Sequence, residues 1–178
     1  PIHGDFEQSP YIHINGHGCT KCSSSVSNQE LEINEYLKSL NLETITSSKS
    51  IIPPYQIDIY IPSHKLAIEF NGLYWHSEKK NTPKYYHQNK VKLCYEKGIR
   101  LLHIFEDEWF NKSRIIKSII KYKLGKINKK IYARKCEIGI INDKHLCNKF
   151  LNDNHIQGHI NGPINIGLFY KNDLVSLM

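Results

Sequence analysis

Two short apolar–polar alternations, Tyr55–Ile61 and Leu66–Asn71, constrain this chain more than any other feature. In the first, Ile57, Ile59 and Ile61 fall on one face and Asp58 and Tyr60 on the other. In the second, Leu66, Ile68 and Phe70 alternate with Ala67, Glu69 and Asn71. A period of two marks a strand with one face on a core. Pro62, Ser63, His64 and Lys65 between them are a turn signal, so the pair is expected to close as a β-hairpin. Each strand carries one acid, with ten residues between Asp58 and Glu69. On one face of a hairpin the two carboxylates converge, and they repel unless a proton or a cation intervenes. A hard divalent cation with oxygen ligands is the usual remedy, and Mg²⁺ keeps water positions open for phosphate. The plainer alternative is a polar strand face washed by solvent.

Other elements follow from the same kind of pattern. Ile33, Leu37 and Leu40 give 28–40 the spacing of an amphipathic helix, preceded by a polar hinge at 23–27 that can supply its N-cap. Glu30 stands three and seven residues before Ile33 and Leu37, on or beside that stripe, whereas Glu32 and Glu35 point away. A carboxylate on the buried side of a helix needs a partner or a metal. Glu30 is therefore a candidate third acid over the same site, or a wet residue at the edge of the stripe. Residues 43–54 are polar and end in Pro53 and Pro54, which stop regular structure. A loop at 72–83 holds Tyr74, Trp75 and His76. Residues 85–97 read as a helix ended by Gly98, Arg100–Phe105 as a buried strand, and 107–124 as a helix. In that last helix Trp109, Ile116 and Ile120 form one stripe, with Lys112, Arg114, Lys117, Lys121 and Lys123 elsewhere on it. A basic linker at 126–130 leads to a strand–helix–strand unit over roughly 131–178.

Charge and cysteine content narrow the function classes. Among 178 residues, 24 Lys and Arg face 17 Asp and Glu, a net charge of +7, with 11% aromatics. Such a balance favours a polyanionic partner, nucleic acid first. Apolar runs such as 101–105 are far short of the ~18 residues a membrane span needs. Five cysteines, an odd count, argue against a disulfide scaffold and for a reducing, cytoplasmic setting. Met178 is the sole methionine and Pro1 opens the chain, so the sequence is expected to be a fragment of a longer protein.

Individual side chains suggest chemistry. Tyr74 and Trp75, two large aromatics in a polar loop, can wedge between bases or stack on them, or Trp75 can cap a core. His76 beside them can move protons near neutral pH. His87 and Lys90, three apart on a helix face with Val91 and Cys94, offer a proton carrier and a phosphate-facing charge.

The runs DIYIP at 58–62, LAIEFNGLYWH at 66–76, YHQNK at 86–90 and GIRLLHIFEDEW at 98–109 resemble phage-type homing endonucleases related to the very-short-patch repair endonucleases. These belong to the wider PD-(D/E)xK nuclease superfamily. The resemblance implies an α/β fold: a restriction-endonuclease-like core whose central mixed sheet is flanked by helices. It implies Mg²⁺ dependence and hydrolysis of a phosphodiester bond in double-stranded DNA. Carried over by position, Asp58 is the metal-binding Asp, Trp75 the wedge, and His76 the His that follows it. Glu30 matches the first-helix Glu of the E-D-x-H-D pattern, and Glu69 and Asn71 the (D/E)xK positions. The expected catalytic set is Glu30, Asp58, Glu69, His76 and His87, with Mg²⁺ on Asp58 and Glu69. The expected DNA contacts are Tyr74, Trp75, Asn71 and Lys90. Two departures stand out. Asn71 replaces the lysine of (D/E)xK, and the last Asp of E-D-x-H-D is missing, since the next Asp after Asp58 is Asp107. They motivate a rival reading, a catalytically inactive zinc-containing DNA-binding or accessory protein.

The first residues, HGDFEQSP at 3–10 and GHGCTKC at 16–22, resemble the short zinc-binding finger found before such nucleases. His3, Cys19 and Cys22 supply three of the four ligands that tetrahedral Zn²⁺ needs. In the family pattern the fourth is a Cys upstream of His3, and His13 or His17 could substitute. The organisation expected is thus a zinc-finger-like segment at 1–23, a nuclease domain at 24–125 and an incomplete C-terminal α/β module at 131–178. YARKC at 132–136, NHIQG at 154–158 and LVSLM at 174–178 resemble modules that follow these nucleases in phage proteins.

Overall fold

The computed structural model describes residues 7, 9–10, 27–72, 85–127, 129–160 and 162–178. His3, Cys19 and Cys22 of the expected zinc segment, and Tyr74, Trp75 and His76, lie outside the described residues. The chain divides into two compact units, Pro1–Glu106 and Asp107–Met178.

The first unit runs α1 (Asn28–Ser39), β1 (Ile45–Ile52), β2 (Tyr55–Ile61), β3 (Leu66–Asn71), α2 (Tyr86–Glu96) and β4 (Arg100–Phe105). Its strands form one mixed sheet in the order β1-β2-β3-β4. The expected hairpin is present: β2 pairs antiparallel with β3, Ile59 opposite Ile68, Tyr60 opposite Ala67 and Ile61 opposite Leu66. A short 3-10 turn, Pro62–His64, closes it, with Lys65 at φ 45°. β3 and β4 are parallel, from Leu66 beside Arg100 to Asn71 beside Phe105. Parallel neighbours cannot be joined by a tight turn, and here α2 lies in the crossover between them. The fold is thus the expected mixed sheet flanked by helices, joined by a second, three-stranded sheet.

The start of α1 and the end of α2 each have an identifiable cause. Ser27 caps α1 in a reciprocal box: Glu30 N–H donates to Ser27 Oγ at 3.2 Å, and Ser27 N–H donates to Glu30 Oε1 at 3.2 Å. Ile33 and Leu37 are its buried stripe. α2 stops at Gly98, whose φ of +67° is open to glycine at little cost, and the Gly98 and Ile99 amides return to Tyr95 and Cys94 carbonyls. Ile52, Ile57, Ala67, Cys94 and Ile99 form one buried cluster, and Ile33, Leu37, Ile59, Ile61, Ile68 and Ile104 are also fully or nearly fully buried.

Two expectations about the sheet need correction. Residues 43–54 are not structureless: β1 occupies 45–52, and Pro53 and Pro54 form the turn into β2. Its serines and lysine mislead because β1 is an edge strand with one buried residue, Ile52, and a register irregularity between Ser48 and Ile52. Polar and irregular edges are how sheets avoid pairing with other chains. Arg100–Phe105 is not a fully buried strand either. It forms the opposite edge, and of its six residues Ile104 is the buried one.

The second unit opens with α3 (Glu106–Lys123), which kinks at Lys112 and buries Trp109, Ile115, Ile116 and Ile120. There follow β5 (Glu137–Ile140), α4 (Lys144–Asn154), β6 (Ile166–Tyr170) and β7 (Asp173–Leu177). The strands form an antiparallel sheet in that order, so a β6–β7 hairpin stands where one strand was expected. Lys171 and Asn172, at φ 53° and 67°, make its two-residue turn. Asp143 caps α4 through the His145 and Leu146 amides. Lys112 and Arg114 of α3 donate to the last α4 carbonyls, Asn152 and Asp153, at 2.7 and 2.6 Å.

Candidate active site

The hairpin register, taken one step beyond the Ile59–Ile68 pair, sets Asp58 beside Glu69 on the same face as Tyr60 and Ala67. The two carboxylates are near enough for Asp58 to raise the Glu69 pKa. Asp58 is fixed by the backbone: the Phe70 amide donates to its Oδ2 at 2.9 Å. Glu69, only 8% exposed, forms an ion pair through Oε2 with Lys90 of α2, whose side chain is itself 2% exposed. Lys90 also lies 5.8 Å from the centre of the Tyr86 ring.

Fully ionised, these groups do not balance. One ammonium faces two carboxylates, and a third, Glu30, is close enough for Asp58 to act on it. Burial, with Asp58 adding to it, pushes Glu69 up to about 8, against the pull of Lys90. Burial and Asp58 also raise Glu30, against its hydrogen bonds from Ser27. The proton on Glu69 belongs to the Asp58–Glu69 pair rather than to one residue. With it in place, Lys90 neutralises what remains of the pair.

Beside the carboxylates sits a histidine that the sequence reading passed over. His103 of β4 is the register partner of Glu69, and its Nδ1 lies 3.1 Å from Asn71 Nδ2. The His87 ring lies 6.4 Å from it and 5.3 Å from the Tyr86 ring, which in turn meets Tyr55 edge-on at 5.1 Å. The available signal was a polar residue inside the apolar run 101–105.

The structure therefore gathers Glu30, Asp58 and Glu69, and places the half-buried His87 at the His103 side of α2. Two expected DNA contacts are corrected. Asn71 and Lys90 are each 2% exposed and turned to His103 and Glu69, so neither side chain offers itself to a phosphate. Lys90 instead brings an ammonium to Glu69 from the helix, where the (D/E)xK pattern would bring one from position 71.

Among the described residues, no three His, Cys, Asp or Glu side chains close into a ready metal site. The donor chemistry nevertheless fits a hard cation. Glu30, Asp58 and Glu69 with Lys90 leave two negative charges when ionised, the charge that one Mg²⁺ carries. Among the same residues, no helix is long and apolar enough to cross a membrane.

No family model matches the chain, and no curated protein matches it. Among solved structures it is similar to the catalytic domain of the homing endonuclease I-Bth0305I, at 28% identity. That match covers 57% of this chain and 99% of the other, with a TM-score of 0.44.

Proposed function

We propose that the chain is a Mg²⁺-dependent DNA endonuclease of the homing type that hydrolyses phosphodiester bonds. The observation that carries this reading is the convergence of Asp58 and Glu69 on adjacent strands with the buried Lys90 ammonium on Glu69. A carboxylate pair that must hold a proton in the absence of a cation is poised to exchange that proton for one. A Mg²⁺ ion on Asp58 and Glu69 would neutralise the pair and polarise a phosphate oxygen. The Phe70 amide holds Asp58 in place, and Lys90 fixes the Glu69 rotamer. Glu30 adds negative charge at the N-terminus of α1. His76, in the segment after β3, is the proton carrier, and Tyr74 and Trp75 unstack the duplex next to the scissile phosphate.

The test is cleavage of a plasmid library carrying random inserts. The full chain should nick or linearise DNA with Mg²⁺ and not with EDTA. Asp58→Asn keeps an acceptor for the Phe70 amide, so it should fold and bind DNA yet cut at least about 100-fold more slowly. Duplex binding without cleavage in either Mg²⁺ or Mn²⁺ would favour the inactive accessory protein instead.

A further inference from the structure

The positive charge of the chain is not shared between its two units. Pro1–Glu106 holds eleven Lys and Arg against eleven Asp and Glu, whereas Asp107–Met178 holds thirteen against six. The whole net charge of +7 therefore belongs to the second unit, away in sequence from the candidate catalytic carboxylates. Within it the cations concentrate at Lys129, Lys130, Arg134 and Lys135, all exposed.

The geometry there is defined. Lys130 Nζ lies 5.3 Å and the Arg134 guanidinium carbon 5.4 Å from the centre of the Tyr132 ring. The 3-10 turn Ala133–Lys135 sets Arg134 and Lys135 directly after the tyrosine, closed by the Lys135 amide on the Tyr132 carbonyl at 2.9 Å. Tyr132 is 47% exposed, and among the described residues no carboxylate forms an ion pair with Lys130 or Arg134. Each cation is drawn to the negative face of the ring. Two cations on one ring repel each other, and an anion between them removes that repulsion. A half-exposed aromatic residue flanked by paired cations suits a nucleic acid, whose phosphate meets the cations and whose base or sugar meets the exposed part of the tyrosine. An anionic membrane offers the charge but no flat partner for the tyrosine.

We infer that Asp107–Met178 is a separate nucleic-acid-binding surface, centred on Lys130, Tyr132 and Arg134, that anchors the phosphate backbone without reading sequence. Binding of the full chain to duplexes of unrelated sequence is measured in an Asp58→Asn background without divalent cation, so that cleavage plays no part. Lys130→Gln with Arg134→Gln removes two phosphate contacts. At about 0.9 per contact, the slope of log affinity against log salt falls by about 2, and affinity at 0.1 M salt falls about 60-fold. Tyr132→Ala weakens binding with the slope unchanged. The control pair Lys144→Gln with Lys149→Gln removes equal charge from α4 and has the smaller effect. Equal losses from both pairs, an unchanged slope, or transfer of the defect to phosphatidylserine vesicles while DNA binding is kept would overturn the assignment. Cleavage by the otherwise wild-type chain is scored separately. Its absence with binding intact counts against the nuclease reading alone.

Discussion

Replacing Glu69 by glutamine should make the protein more stable at neutral pH while ending its activity. The perturbation is small in shape: Gln keeps an oxygen to accept from Lys90 and fills the same volume. What it removes is a titration. Glu69 moves from 4.5 to about 8 on folding, because burial and Asp58 outweigh Lys90. Between those values the folded chain holds a proton that the unfolded chain releases. Folding then binds a proton, so stability present below pH 4.5 is lost as the pH rises through 8. Each pH unit in that window costs about 1.4 kcal/mol, so from pH 4.5 to 7 the wild type loses about 3 kcal/mol that the variant keeps.

The measurement is urea denaturation of both proteins from pH 4.5 to 9 in EDTA, with the difference in unfolding free energy plotted against pH. The curve should climb in favour of Glu69→Gln and flatten above about pH 8. A flat difference would mean that Glu69 does not titrate in this range. A difference that moved the other way would mean that Lys90 prevails over burial and Asp58, and that the site is a satisfied ion pair rather than one held short of a cation. Either result refutes the charge argument even if the protein cuts DNA.

Lys90→Met leaves Asp58 and Glu69 without a counter-charge and should cost about 3 kcal/mol or more above pH 8, since removing one partner of a buried pair is strongly destabilising. Adding Glu69→Gln should restore part of that loss, read from denaturation midpoints. Gly98→Ala meets no atom within 4 Å of the new Cβ, so its cost is the left-handed backbone alone, about 1–2 kcal/mol by thermal unfolding. Trp75→Ala should weaken DNA binding or cleavage by about 1–3 kcal/mol with little change in melting temperature. A loss of stability without a DNA defect would make Trp75 a packing residue.

The parts of the fold legible in the sequence are those where burial is one-sided and regular. β2 shows its period of two because Ile57, Ile59 and Ile61 are buried while Asp58 and Tyr60 are half-exposed. α1 and α3 show theirs through Ile33 and Leu37, and through Trp109, Ile116 and Ile120. β1 escapes because an edge strand buries too little to leave a pattern. Asp58 and Glu69 are legible as a pair because hairpin register is local. The contacts of Lys90 with Glu69 and of His103 with Asn71 are not, since they are made through a helical crossover and a parallel pairing. The hint for Lys90 was its place four residues before the buried Cys94, which puts an ammonium on the covered side of α2.

Topology explains why the lysine can come from the helix. β3 has an antiparallel neighbour on one side and a parallel one on the other, so Glu69 receives Asp58 from β2 and His103 from β4. The parallel pairing demands a crossover, and the crossover helix α2 brings Lys90 onto Glu69 from the face that carries both acids. Position 71 is thereby released from supplying the charge, and Asn71 is turned to His103 instead. Where the expected (D/E)xK pattern would bring an ammonium from position 71, this fold brings one from α2.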